Sequence, residues 1–184
     1  MAPIDHAKQI YYSKNVNGVW TSPEIVSFTL TEDGDCPVLS YDGHRMYFNS
    51  NRPIGDENFK RERIWCVERI QGEWARPYPL PPVINGSHLH WQVSVDRHGH
   101  LYFGSEREGS KGRDDIFMAE FDRGTYNIPI SLGENINTTE HESTPYVATN
   151  GEYLIFCRNG LRISFKDKDA QWTESVSLGE AFDG

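Results

Sequence analysis

The chain alternates apolar and polar positions in short runs, broken by glycine and polar turns, and no stretch shows helical spacing. Alternation at period two sends one set of side chains into a core and the other outward, so the runs predict β-strands. Three segments line up: DCPVLSYDGHRMYFNSNRP from Asp35, HWQVSVDRHGHLYFGSERE from His90 and ESTPYVATNGEYLIFCRNG from Glu142. Each is a strand, a turn containing Gly43, Gly99 or Gly151, and a second strand closing on Phe48, Phe103 or Phe156. A glycine turn between alternating apolar runs signals a hairpin. A Ser or Cys follows, then Arg52, Arg107 or Arg158.

A second half follows each hairpin: RIWCVERIQGEWARPYPL from Arg63, DIFMAEFDRGTYNIPISLG from Asp115 and LRISFKDKDAQWTESVSLG from Leu161. Each reads as an alternating strand, a polar turn, and an aromatic (Trp74, Tyr126, Trp172) opening a last strand. The same half occurs once more at the start, as QIYYSKNVNGVWTSPEIVSF with Trp20 in the aromatic place. Each full repeat thus encodes four antiparallel strands, a to d, in roughly fifty residues, which is the pattern of β-propeller blades. One such sheet cannot bury both faces, and stacked blades can. The expected fold is all-β: a partial β-propeller with a half-blade over 9–30 and blades over 33–85, 88–137 and 140–180, in a single domain over 1–184. The core is expected to include Tyr47, Phe48, Trp65, Trp74, Tyr102, Phe103, Phe117, Tyr153, Phe156, Phe165 and Trp172. The first two b–c loops are long, polar and expected to be mobile, whereas Asn159 and Gly160 alone make the third.

Composition adds little that changes this picture. Aromatics reach 12%, which suits strands. A net charge of −9 argues against nucleic acid, which needs a basic surface. No apolar run approaches the roughly 20 residues of a membrane span. The start, MAPIDHAKQIYYS, lacks the features of a secretory signal, so the chain as written is expected in the cytoplasm. Cys36, Cys66 and Cys157 share no short spacing and are read as buried thiols rather than a disulfide or zinc set.

The segments SYDGHRMYFNSNRP, LYFGSEREGSKGRDDIFMAEF and SLGENINTTEHESTPYVATNGEYLIF, with the repeated W-x-x-(S/P)…L-(G/P) ending, resemble the TolB-like, WD40-like (PD40-type) propeller repeats of bacterial proteins. The resemblance covers about residues 9 to 180. It implies a scaffold or binding platform, often in secreted or cell-envelope proteins and often joined to other domains. Relatives close rings of about six or seven blades, and this chain holds material for three and a half. Its end blades would expose apolar faces and a strand edge, so association with a second copy is expected, most simply as a two-fold dimer. The alternative is a partial propeller capped by its N-terminal segment, Met1 to Lys8.

Candidate ligand-binding residues are His88, His90, Trp91, His141, Glu142, Arg52, Arg107 and Arg158. His88-Leu-His90 and His98-Gly-His100 have a metal-ligand spacing on a strand. The two pairs fall at opposite ends of one strand, too far apart for one ion, and a site at the first would need His141, Glu142 or Asp35. They are read as loop histidines, with no metal and no cofactor expected. The three arginines share one repeat position, which favours a role in fixing blade against blade, since a site usually breaks the repeat. His90 and Trp91 do break it, and Trp91 would either stack a sugar or peptide side chain or fill core space. No G-x-S-x-G, H-E-x-x-H or Cys/His signature is present, so no catalytic residue is named. The expected function is a non-catalytic module for protein or peptide interaction. The alternative is a carbohydrate-active enzyme or sugar-binding protein using the mouth near Trp91.

Overall fold

The computed structural model describes residues 8–30, 32–56, 61–86 and 90–179, with His90 and Trp91 described by their backbone alone. It is a partial β-propeller. The first blade pairs strand a (Asp35–Leu39), b (Arg45–Ser50), c (Arg63–Ile70) and d (Tyr78–Pro79) in that order, all antiparallel. The second repeats this with His90–Val95, Leu101–Ser105, Asp115–Ala119 and Ile130–Ser131. The third uses Ser143–Val147, Tyr153–Cys157, Leu161–Phe165 and Val176–Ser177. Ahead of them Tyr11–Tyr12 pairs with Glu24–Ile25 as a c–d half. Among the described residues the helical content is one 3-10 turn, Ser27–Thr29, and no helix is long and apolar enough to cross a membrane.

Adjacent residues of a strand point to opposite faces, so each middle blade buries both. Tyr47 faces the second blade, in a cluster with Val93, Leu101, Phe103 and Phe117. Its neighbour Phe48 faces the half-blade, with Ile10 and Val26. Tyr102 faces the third blade, with Val147, Leu154 and Phe156. A buried hydrogen bond from the Tyr126 hydroxyl to that of Tyr47 (2.9 Å) adds a polar tie between the first two blades.

Two expectations are corrected. The aromatics do not open strand d. Trp20, Trp74 and Tyr126 sit in two-residue ladders at the tip of the c–d hairpin, and Trp172 forms a single bridge with Lys166. Pairing then slips by one residue before strand d: Arg69 opposes Trp74, whereas Trp65 opposes Pro79. A one-residue slip reverses which face a side chain meets, and alternation alone cannot reveal it. The second correction concerns the core. Phe165 is 49% exposed, and Trp74, Tyr153 and Trp172 are part-buried. Phe165 and Tyr153 lie on the side of the third blade that faces away from the second, where their rings meet at 6.2 Å.

One buried device recurs at the join between repeats. The Asn85 carboxamide accepts from the Ile64 N–H (3.0 Å) and donates to the Ile64 and Leu80 carbonyls (2.8 and 3.0 Å). Asn137 accepts from the Ile116 N–H (2.8 Å) and donates to the Ile116 carbonyl (2.9 Å). In the half-blade the Thr29 hydroxyl accepts from Ile10 (3.3 Å). Ile10, Ile64 and Ile116 are therefore one repeat position, and the N-terminal segment is a true c–d half.

Candidate functional site

Strand a of every blade carries a bulge at the same place. Pairing with strand b shifts between Asp35 and Val38, between Trp91 and Val93, and between Ser143 and Tyr146. The extra residue takes a left-handed backbone: Cys36 at φ 47°, Gln92 at 37° and Thr144 at 50°. Bulges of this type re-aim side chains and gather at sites. Here all three bulge residues converge on one cavity of about 610 Å³ at the mouth where the a strands begin. That volume lies in the range of small-ligand sites, roughly 300–1,000 Å³. A second hollow of about 380 Å³ continues from Cys36 and Gln92 along the three a strands.

Charge on the cavity wall is mainly acidic, from Asp35, Glu62, Glu106 and Asp114, against Lys8 and Arg113. Lys8 is paired with Asp35. Glu62 and Asp114 occupy the same repeat position, just ahead of strand c. Burial pushes the carboxyl of Glu62 above its ordinary range, and nearby Asp35 adds to the shift. Asp114 is 2% exposed, and burial raises its carboxyl too, against the opposing pull of His141. Its Oδ2 lies 3.1 Å from His141 Nδ1, while its Oδ1 is buried with no hydrogen-bond partner. A buried carboxylate on one ring nitrogen orients an imidazole and leaves the other for a ligand.

The loop that supplies Asp114 is held rather than loose. Asp115 accepts from the backbone N–H groups of Lys111 and Gly112 (3.0 and 3.1 Å). Gly112 packs so closely that a β-carbon there would fall 1.7 Å from the Glu140 carbonyl oxygen. The second b–c loop is thus tied by its own aspartate.

The expected site residues part company here. His141 lines the cavity. Glu142 does not: it is fully buried, accepts from the Thr138 N–H (3.1 Å) and hydroxyl (2.6 Å), and its N–H donates to the Asp114 carbonyl (2.9 Å). It braces the wall behind His141. The arginines also stand off the cavity. Each donates to the connection that enters its own blade: Arg52 to the Phe28 and Asp33 carbonyls (3.2 and 3.1 Å), Arg107 to Ile84 (3.0 Å) and Arg158 to Ile136 (3.2 Å). Each also lies over the closing phenylalanine of its strand b, Phe48, Phe103 or Phe156, at 5.3, 5.0 and 5.8 Å. Burial pushes the Arg107 guanidinium down to about 10, so it stays charged at neutral pH. Arg158 also lies 3.7 Å from an acid, Glu142.

His88 lies outside the described residues. The backbones of His90 and Trp91 pair with Ser105 and Gly104, which places both on strand a at the cavity end. His98 and His100 lie at the other end, where both N–H groups donate to Asp96 (2.9 and 3.1 Å). His100 Nδ1 accepts from the Phe121 N–H (3.0 Å). Among the described residues no group of three or more histidines, cysteines or acids is placed to hold a metal. All three cysteines are free, but only Cys66 is buried; Cys36 and Cys157 are part-exposed because one sits in the bulge and the other on the open side of the third blade.

Sequence reasoning did not single out Gln92, Thr144 or Asp114. A bulge residue in left-handed conformation is normally announced by glycine, and here a cysteine, a glutamine and a threonine hold the place. That Asp114 faces the cavity while its neighbour Asp115 folds the loop has no signal in the chain.

No protein-family model matches the chain, and no curated protein matches it. Among solved structures it is similar to a chain from a study of two prolyl endopeptidases, at 16% identity over 85% of this chain and 22% of that one, with a TM-score of 0.50. It is also similar to a puromycin-hydrolyzing peptidase of Mycobacterium tuberculosis, at 17% identity over 86% of this chain and 25% of that one, with a TM-score of 0.52. This chain spans a quarter or less of the length of either. At such identities the likeness is one of fold: a run of stacked antiparallel blades, shared with part of each peptidase chain.

Proposed function

We propose that this chain is a non-catalytic propeller module that binds a peptide or protein segment at the mouth of its three a strands, and that it associates with a second copy. The observation that carries the first part is the cavity itself. It is built from Asp114 and His141 against the bulged Gln92 and Thr144. The repeat-conserving arginines are spent on joining blades instead. An acidic, part-desolvated wall with a continuing groove along strand edges suits an extended segment carrying donor groups. The fold likeness to parts of two peptidase chains is compatible with this reading.

Panning a random dodecapeptide phage library on the purified protein tests it. Recovered peptides should bind in calorimetry and lose at least tenfold in affinity on His141→Ala, with the fold intact by circular dichroism. Binding confined to a glycan array, or peptides indifferent to His141 and Asp114, would replace this reading with another.

A further inference from the structure

Directly opposed residues of antiparallel strands share a face. On the side of the first blade that faces the second, the row Val38–Tyr47–Cys66–Tyr78 crosses all four strands. In the second blade the same row is Ser94–Tyr102–Met118–Ile130. The following blade covers the centre of each row, so Tyr47 and Tyr102 are each 1% exposed. In the third blade the row is Tyr146–Ile155–Ile163–Val176, and none of its members is buried. Tyr146 is 54% exposed where Ser94 is 5%. Beside the row, the first blade has the ion pair of Arg45 and Glu68 at 3.2 Å. The third has the aromatic pair Tyr153 and Phe165 in that place. The open face is thus more apolar than the covered ones.

The other end of the stack is its counterpart. Tyr11 occupies the repeat position of Trp65 and Phe117, one residue past the capped isoleucine. Trp65 and Phe117 are buried against the blade before them, at 6% and 3%, while Tyr11 is 56% exposed. One end therefore presents a surface that elsewhere meets a following blade, and the other a surface that elsewhere meets a preceding one.

We infer that the open face of the third blade docks onto the Tyr11 face of a second copy, head to tail, continuing the blade-on-blade contact made inside each chain. This rests on the self-association proposed above and specifies its contact as one in which unlike surfaces meet.

Sedimentation of wild type, Tyr11→Lys and Phe165→Lys, singly and mixed, tests it, with circular dichroism as the check on folding and Val176→Lys as a second variant of the same face. Wild type should sediment above its own 21.1 kDa, and each variant alone should weaken association at least tenfold. Mixed in equal amounts, the two variants should recover a 1:1 dimer, because each supplies the face the other lacks. If Tyr11→Lys associates as wild type does, or the mixture stays monomeric while wild type associates, the head-to-tail contact is wrong and self-association stands. A monomeric wild type overturns both.

Discussion

Thr144 holds a backbone conformation that its β-branched side chain disfavours, at φ 50°. Left-handed residues other than glycine cost roughly 1–2 kcal/mol, offset in part by the greater unfolded-state freedom of glycine. Thr144→Gly should therefore raise stability by up to about 1 kcal/mol in urea denaturation, while altering the cavity wall. Asp114 makes a second prediction at this scale. Its folded pKa lies above the ordinary 3.8 because burial disfavours the charged form. Between those two values the folded state binds more protons than the unfolded one. Wild-type stability relative to Asp114→Asn should then fall as pH rises through that window, and flatten above it. Denaturation midpoints taken across the acid range would show this slope, and its absence would remove Asp114 as a buried acid.

At the scale of the element, the blade joins depend on single buried amides. Replacing Asn137 by Leu leaves the Ile116 N–H unpaired in the core, while the Ile116 carbonyl keeps the Leu132 N–H (3.2 Å), and one buried orphan costs about 1–3 kcal/mol. A loss of about 1–3 kcal/mol is expected by chemical denaturation, with a similar result at Asn85, whose loss orphans the Ile64 N–H. In the three full blades strands a, b and c were legible because each runs five or more residues. Strand d was not: it is a two-residue pair after a one-residue slip, too short for a period to register. The Ile-Asn dipeptides at 84–85 and 136–137 were the available signal for the joins.

Across the whole molecule, the stack decides what a given residue is worth. Phe103 is fully buried between the first two blades, so Phe103→Ala should cost about 3–5 kcal/mol. Phe165 is also a strand-end phenylalanine facing sideways from its sheet, yet no blade covers it among the described residues. Phe165→Ala should change monomer stability by less than about 0.5 kcal/mol. Thermal or urea unfolding of the two variants in parallel checks the contrast. At this scale the cavity also takes its meaning, since its walls come from three blades and no single repeat contains it.

The sequence by itself determined the blades, their order and the half-blade before them. Alternation and turns are local, and a pattern repeated in register needs no tertiary information to be read. It also placed His141 and the strand-a histidine and tryptophan at one mouth, because position within a repeat maps to position along the axis. Only the tertiary structure decided that Asp114 grips His141, that Glu142 braces from behind and that the arginines face the joins. Those outcomes depend on which residues of different blades meet once the sheets are stacked. Only the stack, too, decided which apolar faces are covered, since alternation declares a face apolar without saying what lies against it.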